Sequence, residues 1–122
     1  MATVLAYTET KVYSHYNSRN FYLLNWTHLH ETDATPPATK IPSNIRFKAK
    51  VTGGFGTGGH VRLQGSIDGL TWSDLNDSTN TLIDLVAAGE KEVLKDHVFV
   101  YLRPYVQAGT SVDVTVTILA IP

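Results

Sequence analysis

Three stretches of this chain alternate apolar and polar residues without a break. Ile45, Phe47, Ala49 and Val51 stand against Arg46, Lys48 and Lys50; Val61, Leu63, Gly65 and Ile67 against Arg62, Gln64 and Ser66; and Val112, Val114, Val116 and Ile118 against Asp113, Thr115 and Thr117. A period of two belongs to a strand with one buried face, and a helix would scatter the same residues around its axis. The segments around Tyr7, Val12 to Tyr16, Asn20 to Trp26, Thr81 to Val86 and Val98 to Val106 are rich in aromatic and β-branched residues, which predicts further strands. Helix-forming composition is confined to Leu85 to Lys95 and is interrupted by Gly89, so one short helical turn is the most it predicts. Short strands separated by turn signals give an all-β fold, an antiparallel β-sandwich of jelly-roll or immunoglobulin-like type or a small barrel.

The 122 residues read as one domain, spanning positions 1–122, with a Pro-rich loop over 30–44 and a Gly-rich hairpin loop over 52–60. Hydrophobic content of 43% and charged content of 17% exclude wholesale disorder, and a net charge of −1 gives no general attraction to nucleic acid or an acidic membrane. With no cysteine there is neither a disulfide framework nor a thiolate zinc site. The opening residues MATVLAYTETK carry no basic leader, and no segment approaches the ~18 apolar residues of a membrane span. The expectation is synthesis inside a cell, no membrane and no nucleic acid. The two N-x-[ST] matches, at Asn25 and Asn76, then count as chance.

Three motifs invite a chemical reading. Ser66-Ile67-Asp68-Gly69-Leu70-Thr71-Trp72 fits the Asp-box pattern without the residue between Asp and Gly. Its plain reading is a turn device: the Asp68 carboxylate takes backbone amides of its own turn, Gly69 supplies a positive φ, and Trp72 covers the base of the hairpin. The glycosidase reading requires a propeller of several blades and an axial arginine cluster, whereas this chain has one box and four arginines. The stretch GGFGTGG contains a literal G-x-G-x-x-G at Gly54, Gly56 and Gly59, but a strand follows where a dinucleotide site needs a helix. It reads as a flexible hairpin connection with Phe55 as an exposed aromatic at its tip. His28 and His30, followed by Glu31, offer metal-type ligands at i and i+2 on one strand face without the rest of a tetrahedral set, and read as a surface pair. No nucleophile context stands in the chain. The expectations are therefore no catalytic residue, no cofactor, no metal and no enzyme.

Pairing Val51 with Val61 across the glycine loop sets Phe47 over Gly65 and Lys50 opposite Arg62. That register gathers Arg46, Lys48, Lys50 and Arg62 on one outer face, which is either solvated or kept for an acidic partner.

The order of features in SIDGLTWSDLND (66–77), AAGEKEV (87–93) and VYLRPYVQAGTSVDVTVTILA (100–120) resembles small structural proteins of tailed bacteriophages and prophages. The resemblance implies a virion component made in the host bacterial cytoplasm, of the capsid decoration or cement type. It implies binding to the major capsid protein as a homo-oligomer, a homotrimer first, with Phe55 and the tyrosines Tyr13, Tyr16, Tyr22, Tyr101 and Tyr105 as contact candidates. The alternatives are a tail, neck or baseplate protein, or a carbohydrate-binding module with Trp26 and the tyrosines in one plane.

Overall fold

The structure, a computed structural model, describes residues 6–13, 20–31, 39–40, 46–95, 97 and 99–121. The described residues form an all-β sandwich with ten strands: β1 (Ala6–Tyr13), β2 (Asn20–Leu29), β3 (Thr39–Lys40), β4 (Arg46–Gly54), β5 (Thr57–Ser66), β6 (Ser73–Asp74), β7 (Asp84–Leu85), β8 (Gly89–Glu92), β9 (Tyr101–Thr110) and β10 (Asp113–Ile121). The first sheet runs β1-β2-β10-β4-β8 and the second β3-β9-β5-β6, with β7 also on β5. Every pairing is antiparallel. With β1 set aside, consecutive strands from β2 onward change sheets at each step except that β5, β6 and β7 share one, and the resulting orders β2-β10-β4-β8 and β3-β9-β5-β6 are those of a jelly roll, two interlocked Greek keys. No helix occurs among the described residues, and the stretch expected to hold a helical turn forms β8.

One long folded ribbon generates this topology. β4 pairs with β10 from Arg46↔Ile121 to Gly54↔Asp113, and β5 pairs with β9 from Thr57↔Thr110 to Ser66↔Tyr101. The two residue numbers have the same sum at all four of these pairs, so a single register crosses from one sheet to the other. The only slip is a bulge at His60↔Ala108. The ribbon folds at Phe55–Gly56 and Ser111–Val112, and its two halves lie face to face. β4 and β5 are therefore not hairpin partners, and the register that set Val51 beside Val61 is corrected. The alternation holds because both strands bury one face: Phe47, Ala49 and Val51 from one sheet meet Val61 and Leu63 from the other.

The fold of the ribbon explains its glycines. A Cβ on Gly56 would stand 2.0 Å from the Thr110 carbonyl oxygen, one on Gly59 2.1 Å from that of Phe55, and one on Gly109 2.7 Å from Gly59 Cα. The Gly-rich segment is a tight crossing of backbones, with β4 extending to Gly54 and β5 resuming at Thr57. Phe55 is half-buried against the core instead of exposed at a tip. Of the Pro-rich loop, 32–38 and 41–44 lie outside the described residues, as does Ile45 of the alternating strand, and Thr39–Lys40 adds a short strand to β9.

The core lies between the sheets, with Trp26, Leu24, Leu29, Leu63, Ile83, Leu102, Val116 and Ile118 at most 2% exposed. Ile67 departs from its alternation: it is 70% exposed, because β5 ends at Ser66 and the Asp-box turn carries Ile67 out of the sheet. Gly65 lies under an aromatic ring, but the ring is that of Phe99, which packs on Phe47 with centroids 5.5 Å apart.

Candidate functional site

The four basic residues grouped from the sequence fall on both sheets. Arg46, Lys48 and Lys50 line the outer side of β4, where the neighbouring strand is β8 and not β5. Arg46 donates to Glu92 through Nε at 3.0 Å and Nη2 at 2.5 Å, and Lys48 Nζ lies 3.0 Å from Glu90. Those pairings hold both glutamates below the usual carboxylate range, Glu92 through Arg46 and Glu90 through Lys48. The predicted basic face is thus a charge-matched pair of strands, and Arg62 stands on the other sheet.

His28, His30 and Glu31 turn out to hold the fold of the ribbon. His28 sits at a bulge of β2 against β10 with a φ of 55° and meets Asp113 at 3.1 Å. His30 Nδ1 lies 2.7 Å from the Val112 carbonyl oxygen, and the Glu31 carboxylate accepts the Ser111 and Val112 amides at 2.6 and 3.2 Å. No cluster of three metal-type ligands occurs among the described residues.

The Asp box closes the β5–β6 hairpin, where Gly65 pairs with Ser73. Asp68 Oδ1 accepts the Leu70 and Thr71 amides at 2.8 and 2.9 Å and the Ser66 hydroxyl at 3.0 Å. Ser66 Oγ in turn accepts the amides of Asp68 and Gly69, and Gly69 has a φ of 76°. The amide of Thr71, then that of Leu70, holds the Asp68 carboxyl below its ordinary range. Ser66 is 4% exposed and is the hinge of this network, a role its spacing two residues before Asp68 could have signalled. The backbone is locked while the side chains at its tip face outward: Leu70 is 84% exposed beside Ile67.

On the outer side of the second sheet a polar ladder joins four strands. Asp84 meets His60 at 3.0 Å and Arg62 Nε at 3.5 Å, and Arg62 Nη1 meets Asp74 at 3.4 Å. Asp74 Oδ1 accepts the Tyr105 hydroxyl at 2.8 Å and Gln64 Nε2 at 3.2 Å. Burial, then the bond to Asp74, raises the Tyr105 phenol above its ordinary value. Gln64 Oε1 receives Arg103 Nε and Nη2 at 3.0 and 2.8 Å, and the Arg103 guanidinium lies 4.0 Å over the Trp72 ring. Burial pulls Arg103 below its ordinary value. Trp72 is a half-buried platform for Arg103. Tyr101 rests on the Asp box, with its ring 3.5 Å from where a Cβ on Gly69 would be. The plane of aromatics anticipated around Trp26 is not there, because Trp26 is fully buried; Trp72, Tyr101 and Tyr105 stand on one face instead. The side chains of Tyr13, Tyr16 and Tyr22 lie outside the described ones.

Beside the Asp box an open cleft of about 470 Å³ runs between Ser66, Asp68 and Ser73 on one side and His97 and Phe99 on the other. His97 Nε2 accepts the Asn76 amide at 2.8 Å, which fixes its ring and leaves that nitrogen unavailable as a base. Compared with known proteins, the chain matches no family model, no curated protein and no solved structure.

Proposed function

We propose that the chain is a non-enzymatic structural protein of a tailed-phage virion, of the capsid-decoration type. It binds the major capsid protein of an assembled shell as a homotrimer, with the Asp-box tip as its contact. The observation that carries this reading is the pairing of a locked backbone with exposed apolar side chains. Asp68 and Ser66 fix the turn, and Ile67 and Leu70 stand out from it at 70% and 84% exposure. Large apolar groups on a rigid projection gain burial on docking without the ordering cost of a flexible loop. Three such tips on one trimer would bind a shell far more tightly than one, since each further contact is intramolecular. The jelly roll itself serves viral capsids and lectins alike, so it is compatible with the reading without specifying it.

The test is co-sedimentation with undecorated shells of the phage concerned. Leu70→Ser with Ile67→Ser should abolish binding while leaving the melting temperature in place, because both side chains are exposed. Salt should have little effect, as Arg46, Lys48 and Arg62 are already paired within the protein. Undiminished binding by the double variant would remove the tip from the interface, and failure of the wild type to bind would remove the virion reading.

A further inference from the structure

We propose that Arg103, Trp72 and Tyr101 form a binding site for a carboxylate-bearing saccharide on the outer face of the second sheet. Arg103 is half-buried, and no carboxylate pairs with it among the described residues. Its neighbour Arg62 is spent on Asp74 and Asp84. A guanidinium desolvated without a counter-charge is costly unless something supplies one. Gln64 takes the Nε–Nη2 edge, and the Trp72 ring at 4.0 Å fixes the plane, so the Nη1 side is presented in a set orientation. That is the geometry in which arginine receives a carboxylate through two parallel hydrogen bonds.

The groups around Arg103 indicate what carries the carboxylate. Tyr101 is two residues away on the same face of β9, and Trp72 lies directly beneath the guanidinium. The Tyr101 hydroxyl and the Trp72 Nε1 hydrogen make no hydrogen bond with described residues, so together with Arg103 Nη1 three donor groups on this face have no acceptor among those residues. The partly exposed Tyr101 ring offers apolar surface for the C–H face of a sugar, and the donors suit its hydroxyl and ring oxygens. A strongly anionic chain, such as nucleic acid or an acidic peptide, would need several free cations in a row. Here one uncompensated arginine lies among neutral donors, which fits one carboxylate on a polyhydroxylated body.

This site does not depend on the virion reading and is tested with the isolated protein. Trigalacturonate, sialyllactose, neutral maltotriose and triglutamate are titrated by calorimetry and by the fluorescence of Trp72, with Trp26 constant in the core. Binding of trigalacturonate or sialyllactose, absence of maltotriose binding and a loss of tenfold or more in Arg103→Gln are expected. Arg103→Lys should also lose affinity, since an ammonium cannot supply the fork, and Tyr101→Phe, which removes only the hydroxyl, should weaken binding without unfolding. The proposal is overturned if neither acidic saccharide binds at millimolar concentration, if Arg103→Gln binds as the wild type does, or if triglutamate binds equally well.

Discussion

Gly56→Ala and Gly58→Ala, two residues apart, separate the effect of a glycine's dihedral angle from the effect of its surroundings. Both glycines have a left-handed φ, 56° and 66°. A Cβ on Gly58 would meet nothing within 4 Å, whereas one on Gly56 would lie 2.0 Å from the Thr110 carbonyl oxygen and 2.8 Å from Ser111 C. The left-handed conformation costs alanine about 1–2 kcal/mol, and the stiffer unfolded chain returns about 0.4–1 kcal/mol, so Gly58→Ala should lose about 1 kcal/mol. At Gly56 backbone must retreat by more than an ångström, which opens the Thr57↔Thr110 pairing at a cost of about 1 kcal/mol and adds an overpacking cost of about 1–3 kcal/mol. The sum is about 3–5 kcal/mol. In a domain of this size each kcal/mol lowers the melting temperature by about 3–5 °C. Thermal unfolding followed by circular dichroism should place Gly58→Ala within a few degrees of wild type and Gly56→Ala ~10–20 °C lower. Equal losses in the two variants would refute the crossing of backbones as the reason for the glycines.

Gly65→Ala should cost about 1–3 kcal/mol by calorimetry, because its Cβ would press on Phe99 Cγ at 2.9 Å and Leu75 Cδ2 at 3.1 Å. The two tryptophans should differ: Trp26→Ala, at a fully buried position, should lose about 3–5 kcal/mol, and Trp72→Ala, whose ring is half-buried, distinctly less, as denaturant titration would show. Glu31, Asp68, Glu90 and Glu92 all titrate below their ordinary values when folded. Lowered carboxylates stabilise the fold above their unfolded values of about 4, and that stability drains as the pH falls through the folded values. The melting temperature should hold from about pH 5 to 8 and drop below about pH 4, and Glu31→Gln should shallow the drop. A melting temperature that rises on acidification would contradict the assignment.

What the sequence revealed was what is local. Period-two alternation marks a buried face whatever the neighbouring strand is, so β4, β5 and β10 were legible. The same pattern does not say whether two such strands lie side by side in one sheet or face to face across a core. Lys50 was therefore set beside Arg62, when its neighbours are Glu90 and Thr117. A signal for the true neighbour was present: Glu90 and Glu92 repeat at the spacing of Lys48 and Lys50, as facing strands of opposite charge should. It was obscured by the helix-forming composition around it. The Asp box was legible because its bonds lie within the six residues Ser66 to Thr71. The Arg103–Trp72 stack was not, since it joins β9 to a turn 31 positions earlier (103 less 72) through a register that only the folded ribbon sets.

The folded ribbon also has a consequence for synthesis. Residues 46–66 find their long partners in 101–121, and the nearest of those pairs, Ser66 and Tyr101, is separated by 35 positions (101 less 66). At about 5–20 residues per second, a chain leaving the ribosome holds β4 and β5 without β9 and β10 for about 2–7 s or more. Bare alternating strands are templates for pairing with another copy, and like charges along one face oppose that pairing. Arg46 and Lys48, paired with Glu92 and Glu90 of β8 in the finished protein, and Lys50 beside them are thus placed to keep nascent chains apart during the interval before β8 and β10 emerge.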